Sequence, residues 1–545
     1  MAKHRLFAGL LAAFALSGCM GIADRSGLSA ASMQRADRDY GSAAVASADG
    51  RVYGDVFEVG YQQIRDIYVR DVDLGVLTFD GLRGLADLDD RISADRVDGS
   101  IRVRVAGEEV GDYETARTES PHDWARVTTS AIDALRSVSI DLRDASADEI
   151  YSAVFNAITD DLDPYSRYVD PGQARSERAR RDGYGGIGVV LDIDVDGHPV
   201  AQEIFPDSPA ERAGMIAGSR FVAVDGRPVS GLEINDLGDA LRGRVNTAVR
   251  VTMALPQGGE RDYTLRRERV IPNVIEARIE QDILVLSVSR FNAATAAQLA
   301  DEIVDGMRTL GPAAKGVVLD LRGNPGGLLD QSIIVADMFL PRGEIIQTRG
   351  RHPNSFQYYP AESHDILSGL PMVVLVDGRS ASGAEVVAAA LQDSGRAVVI
   401  GAASYGKGSV QTVTRLPNDG ELFLTWSEIY TPLGYTLNQQ GVLPTICTAG
   451  VTPDAGEVLD RFRRGEMAAP AGLATWRLEA STDRQALDRL RNLCPWQSQD
   501  ASIDLNLAKL LLLDTEMYDR ALASTMSVVR ETGWAATQTV DTATP

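Results

Sequence analysis

Three side chains in the second half of the chain could together perform acyl transfer. Ser382 stands in Gly378-Arg379-Ser380-Ala381-Ser382-Gly383-Ala384-Glu385, between an apolar strand and an apolar helix. A serine at a helix N-terminus has N–H donors and a favourable dipole for a developing oxyanion. The plainer reading is a capping box, since Ser382 and Glu385 fit S-x-x-E. Lys407 stands in Tyr405-Gly406-Lys407-Gly408-Ser409-Val410-Gln411. A serine nucleophile needs a base, and a neutral lysine can serve. A free lysine has a pKa of about 10.4, so work near pH 7 asks for a shift of roughly 3 units, about 4 kcal/mol, supplied by burial. Glycines and apolar strands around Lys407 permit that burial; its plainer reading is a solvated loop lysine. Gln411, four residues on, shares a strand face with Lys407 by the period of two, and its carbonyl oxygen could fix the amine. A third piece, Asp320-Leu321-Arg322-Gly323-Asn324-Pro325-Gly326-Gly327, follows the buried-looking run Gly316–Leu319. It is either a plain tight turn or a place where backbone N–H groups come close to a carbonyl oxygen, which glycine permits.

These residues need elements to hold them. From 282 to about 427, apolar runs (Ile283–Val288, Val317–Leu321, Val373–Val376, Ala397–Ile400, Leu422–Thr425) alternate with amphipathic segments, an α/β pattern. Residues 184–270 differ: short β-like runs alternate with Gly/Pro/Asp turns and two short helical stretches. Here Gly185-Gly186-Ile187-Gly188 opens directly into a strand. Successive N–H groups in such a turn can cradle a carboxylate, and the strand edge can accept an extended peptide. With Asp207–Gly214, Phe221–Gly226 and Leu241-Arg242-Gly243, this region resembles a PDZ domain. Ser219 and Asn246 depart from that pattern, where Asp and Gly are usual, and neither lies in the binding loop.

Upstream, residues 51–183 read as mostly helical, with helical spacing at 55–70, 123–136 and 147–162 and one strand-like patch, Ile101–Val105. A turn-rich stretch, Asp163-Pro164-Tyr165-Ser166, closes the region. Downstream, 451–530 reads as a helical extension and 531–545 as a flexible polar tail. Catalytic α/β core is the reading for 271–450.

The serine, lysine and glycine motifs together resemble the carboxyl-terminal processing peptidases, also called tail-specific proteases. The resemblance covers roughly residues 55–450 and is carried by Asp320–Gly327, Ser380–Asp393 and Gly406–Gln411, in the family's order. Asp163–Tyr168 and Tyr430-Thr431-Pro432-Leu433-Gly434 also look like family signatures. The resemblance implies a serine endopeptidase with a Ser–Lys dyad, an acyl-enzyme, and a PDZ domain inserted before the catalytic core to take exposed C-terminal tails. By motif position, Ser382 is the implied nucleophile, Lys407 the base and Gln411 the lysine orienter. Gly383 and Gly327 are the implied oxyanion donors, with the choice between Gly326 and Gly327 open. Asp393 matches an acidic position and is read as structural. Gly383-Ala384 stands where Ala-Ser is usual, which keeps the N–H at 383. The stretch 72–125 is longer and more polar than the family pattern.

Other readings fit less well. Ser404-Tyr405-Gly406-Lys407 matches S-x-x-K, but no S-D-N or K-T-G accompanies it. Gly378-x-Ser380-x-Ser382 misses the G-x-S-x-G elbow at its last position. A catalytically inactive PDZ scaffold or adaptor is the alternative of a different class; it would dispense with Ser382 or Lys407, and both are present.

The chain has 545 residues, enough for three or four domains, with 44% hydrophobic and 24% charged residues. Asp+Glu is 77 against Lys+Arg 54, a net charge of −23, which disfavours nucleic acid as a partner. Five scattered histidines and three cysteines, without HExxH or CxxC, speak against a metal site, and no cofactor is expected. Residues 1–19 read as a lipoprotein signal peptide: Lys3-His4-Arg5, then Leu6–Leu16, then Leu16-Ser17-Gly18-Cys19 in the manner of a lipobox. An ordinary signal peptide with a chance cysteine is the plainer alternative. Acylation at Cys19 would leave a periplasmic protein anchored to a membrane, with Met20 favouring the outer one, on a flexible tether over 20–50. Expected partners are therefore proteins or peptides with exposed C-termini, the membrane through that anchor, and room for an adaptor protein. Cys447 and Cys494 are then the remaining pair in an oxidising compartment, and a disulfide between them is expected.

Overall fold

The computed structural model describes residues 52, 54–115, 120–450, 454–467, 470, 472–495 and 502–531. Cys19, the leader and the whole tether over 20–50 lie outside the described residues.

A six-stranded sheet is the centre of the molecule. Its order is Ile275–Glu280, Ile283–Val288, Gly316–Asp320, Met372–Val376, Val398–Gly401 and Ile446–Cys447. The first pair is antiparallel and every later pair is parallel. Both faces are buried, as parallel strands require, and successive residues alternate between two cores. Leu286, Leu319, Val374 and Val399 face one core with the helix Gly383–Asp393, in which all eleven residues are buried. Val285, Val318, Val373 and Ile400 face the other core, closed by Leu507, Leu511 and Tyr518 from the helices Ser502–Leu513 and Thr515–Glu531. The C-terminal helices thus cover the second face of the central sheet.

A second, antiparallel sheet runs Gln357–Pro360, Glu344–Arg349, Glu421–Tyr430, Ser409–Arg415. A short strand, Arg167–Val169, pairs with Glu421–Phe423 of its long strand. That pairing carries the N-terminal region onto the core. Phe57, Tyr61, Tyr151, Phe155 and Tyr168 share one hydrophobic cluster with Leu416, Leu422 and Leu424. The helices Gly54–Ile67, Pro121–Val138 and Ala147–Asp160 supply its aromatic and aliphatic faces. This region is not helical throughout: Ile92–Val97, Ser100–Val105 and Glu108–Glu114 form a three-stranded antiparallel sheet. Only Ser100–Val105 stands out in the sequence, because its alternate residues Ile101, Val103 and Val105 are apolar and buried, whereas Glu108–Glu114 has no fully buried residue.

Residues 187–266 fold around a core of their own, from Ile187 and Val189 to Tyr263 and Leu265. The five-strand path runs Glu260–Arg266, Ala248–Ala254, Arg220–Val224, Pro199–Ile204, Val189–Ile193. A two-stranded ribbon, Tyr184–Gly186 with Glu268–Val270, joins this unit to the rest. Among the described residues, no helix is long and apolar enough to cross a membrane.

Candidate active site

The strand Met372–Val376 delivers the chain to a tight turn, and Ser382 follows it at the head of the buried helix Gly383–Asp393. Its backbone sits at φ 55°, a left-handed conformation for a residue with a side chain. Such a conformation costs of order 1–3 kcal/mol and persists where the surroundings hold it. Here they do. The Ala381 N–H donates to the Asn324 carbonyl (2.9 Å), and the Ser382 N–H donates to Glu385 Oε2 (2.8 Å). Ser380 Oγ donates to the Leu321 carbonyl (2.8 Å), and the Tyr405 N–H donates to the Ser380 carbonyl (3.0 Å).

Lys407 lies in the irregular segment between Gly401 and Ser409, ahead of the strand Ser409–Arg415 rather than on it. Glu385 ties this segment to the serine turn. Its fully buried carboxylate accepts from the N–H groups of Ser382, Gly406 (2.7 Å) and Lys407 (2.9 Å), and from Ser404 Oγ (2.5 Å). Burial pushes this carboxyl up, against the four donors that favour its charged form. One side chain therefore fixes the separation of the two loops. The sequence shows it only as the fourth residue of a capping-box pattern.

Lys407 is half-buried. Desolvation lowers its pKa, as does the nearby Arg167, while Asp163 and Glu385 act to raise it. Its Nζ stands 5.3 Å from the centroid of the Tyr165 ring. Burial in turn raises the Tyr165 phenol. No hydrogen bond links the Ser382 and Lys407 side chains, and Gln411 does not bond the lysine amine. The Gln411 Nε2 donates to Ser409 Oγ (2.8 Å) and to Thr425 Oγ1 (3.3 Å). Thr425 Oγ1 donates onward to Asp163 Oδ1 (3.0 Å), which also accepts the N–H groups of Tyr165 and Ser166. Hence Asp163-Pro164-Tyr165-Ser166, legible in the sequence only as a turn with a family look, forms one wall of the site and orders Gln411 through Thr425.

The glycine turn lies against the serine. A side chain on Gly326 would meet the Ser382 Cβ at 2.7 Å and the Gly383 nitrogen at 2.9 Å. The Gly326 N–H donates to the buried Asn324 Oδ1 (2.8 Å), and the Gly326 carbonyl accepts from Phe291 (3.0 Å). Among the described residues, no hydrogen bond engages the N–H of Gly327 or of Gly383. The donor left over in the turn is therefore Gly327, the one of the two that carries the oxyanion expectation.

Asp393 ends the helix, fully buried, with Arg477 Nη1 at 3.8 Å. Burial pushes its carboxyl up to about 6, opposed by Arg477. Cys447 and Cys494 form a disulfide. The Gly185–Gly188 turn borders a groove lined by Ile187, Val189, Leu191, Ile234 and Leu241, with Arg242 stacked 4.9 Å over the Tyr184 ring. Among the described residues, one group of acidic and imidazole atoms is close enough for an ion: Asp194, Asp196 and His198, on an exposed turn of this unit. Arg220 already pairs with both carboxylates at 2.6 Å.

Comparison with known proteins places these features. The model of peptidase family S41 matches residues 282–448, and a PDZ domain model matches 202–254. The carboxy-terminal-processing protease of Bartonella bacilliformis is 38% identical over 297 residues, 54% of this chain and 68% of that protein. The carboxy-terminal processing protease CtpA of Bacillus subtilis is 32% identical over 286 residues, 52% of this chain and 60% of that protein. Among solved structures, a photosystem II D1 C-terminal processing protease is 24% identical, covering 72% of this chain and 92% of its own, with a TM-score of 0.36.

Proposed function

Because the chain belongs to the carboxy-terminal processing proteases of peptidase family S41, and is thus a PDZ-containing serine-type peptidase, we propose that it cleaves exported proteins with Ser382 as nucleophile and Lys407 as general base. The observation that carries this reading is the Glu385 carboxylate, which holds the Ser382 turn and the Lys407 segment on one side chain. Neutral Lys407 takes the Ser382 hydroxyl proton as Oγ attacks the scissile carbonyl carbon. The carbonyl oxygen, now negative, faces the free N–H groups of Gly327 and Gly383. Collapse of the tetrahedral intermediate breaks the C–N bond, the lysine ammonium returns its proton to the leaving amine, and the acyl-enzyme is hydrolysed by water that Lys407 deprotonates. In catalysis the Lys407 amine leaves the Tyr165 ring for Ser382, and the Gln411 carbonyl oxygen receives it.

The groove beside Gly185–Gly188 takes the substrate's C-terminal residues, with backbone N–H groups of the turn on the carboxylate and apolar side chains in Ile187, Ile234 and Leu241. Cys19 is the lipidated N-terminus that keeps the protein on the periplasmic face of a membrane. One experiment tests both readings: C-terminal peptide profiling of membrane and soluble fractions from cells carrying wild type, Ser382→Ala or Cys19→Ala. Ser382→Ala should make uncleaved C-termini accumulate, and Cys19→Ala should move the protein to the soluble fraction. Identical C-termini in wild type and Ser382→Ala would overturn the peptidase assignment of Ser382; unchanged membrane association would overturn the anchor.

A further inference from the structure

We propose that Arg491 and Cys494, in the helical extension beyond the matched family region, are positioning residues for the Lys407 loop. The inference rests on the reading of Lys407 as the base. Lys407 is held between two glycines that lie backbone against backbone on the segment 437–439. A Cβ on Gly408 would stand 2.0 Å from the Asn438 nitrogen, and one on Gly406 would stand 2.8 Å from the Gln439 carbonyl carbon. The Gln439 N–H donates to the Gly406 carbonyl (2.8 Å). Where 437–439 goes, the lysine follows.

The helix Arg484–Leu493 secures this bed from outside. An Arg491 guanidinium N–H donates to the Gln439 carbonyl, and Gln439 itself has a left-handed backbone at φ 65°. One turn on, the Cys494 carbonyl accepts the N–H of Ala403 (3.2 Å), at the start of the segment that carries Lys407. Cys494 is crosslinked to Cys447, whose strand pairs with Val398–Gly401 at Gly401↔Cys447. The extension thus holds the loop at Ala403 and the bed beneath it at Gln439, and the crosslink fixes both holds to the central sheet. The Arg491 charge also acts on Tyr165, whose ring lies over the lysine amine.

A small displacement here has two consequences. It moves the amine relative to Ser382, and shifts of this kind are costly to rate. It also admits water around Lys407, whose other facing groups are Arg167, Asp163, Glu385 and the Tyr165 ring. Less desolvation raises the lysine's pKa.

The test measures kcat and KM for an unfolded casein substrate across pH, on the full-length protein in detergent micelles. Arg491→Ala, Arg491→Lys, Cys494→Ser and Ser382→Ala are compared with wild type before and after reduction by a phosphine, which opens the disulfide to two thiols and is itself oxidised. Arg491→Ala and Cys494→Ser should lower kcat about tenfold with KM little changed, and the rising limb of the pH profile should move to higher pH. Arg491→Lys should recover most of the activity, and reduction of wild type should reproduce Cys494→Ser, which keeps the inference testable should that variant fold poorly. An unchanged kcat and profile in Arg491→Ala overturns it, as does a fall in kcat with the pH limb unmoved and no rescue by lysine. Activity retained in Ser382→Ala would instead remove the underlying assignment.

Discussion

Lys407 carries the strongest pH dependence in the proposed mechanism. Burial and Arg167 lower its pKa, and Asp163 and Glu385 only partly restore it. Activity should rise with pH through this lowered value, because the neutral amine is the base. Lys407→Arg should lose roughly 100- to 10,000-fold in the rate of acylation, since arginine stays protonated. Wild-type acylation by an active-site-directed probe in Lys407→Arg would mean that another group is the base. The same shift has a consequence for stability. A lysine whose folded pKa lies below its unfolded one binds fewer protons folded than unfolded between the two values, so stability rises with pH across that window. Lys407→Met should therefore melt at a higher temperature than wild type below the folded pKa. The difference should close as pH rises towards the ordinary lysine value of 10.5. A constant difference in melting temperature across this range would show that the buried amine is not the cause.

At the scale of elements, the catalytic sheet depends on helices that lie outside the matched family region. Leu511 and Leu507 are fully buried against Val318, Val373 and Ile400. Leu511→Ala should cost about 2–5 kcal/mol, the usual penalty for a buried leucine truncated to leave a cavity. Denaturant unfolding should show it as a lower midpoint, and an unchanged midpoint would mean that the extension does not share the core's cooperative unit. The parallel strands were legible in the sequence because burial on both faces makes them continuous apolar runs, such as Gly316–Leu319 and Met372–Val376. The strands Ile92–Val97 and Glu108–Glu114 were not, because most of their residues meet water and an alternation so weak resembles a loop. In the site, Ser382, Lys407 and the glycine turn stood out by motif. Glu385 was hidden behind a helix-capping pattern that it also satisfies, for only its Ser382 donor is local and the other three come from the distant segment 404–407. Arg491 had no local signal, since a surface arginine on an amphipathic helix has the same pattern whether or not it reaches a carbonyl 52 residues away.

At the scale of the whole molecule, the proposed recognition and the proposed chemistry fall on units with separate cores, joined among the described residues by a two-stranded ribbon. The PDZ unit has its own core, and the pairing of Tyr184–Gly186 with Glu268–Val270 carries it. Just before that ribbon, Arg178 and Arg181 of the helix Pro171–Asp182 pair with the buried Glu421 of the catalytic side at 2.9 and 3.4 Å. The strand led by Glu421 also carries Thr425, which orders Gln411. Static contacts therefore run from the ribbon through Glu421 and Thr425 to the wall of the candidate active site. The proposed recognition of the tail makes a separable prediction, because it places the terminal carboxylate on backbone N–H groups. Peptides with apolar C-termini should bind the Ser382→Ala protein, which cannot consume them, and amidation of the C-terminus should weaken binding by about tenfold or more. That is the scale expected when charge-assisted hydrogen bonds of about 1.5–3 kcal/mol are replaced by neutral ones. Replacing the last residue by aspartate in the acid form should weaken binding as well, since a carboxylate set among Ile187, Ile234 and Leu241 loses its hydration. Calorimetric titration of the three peptides reads both effects. Equal affinity for acid and amide would remove the Gly185–Gly188 turn from recognition while leaving the assignment of Ser382 and Lys407 untouched.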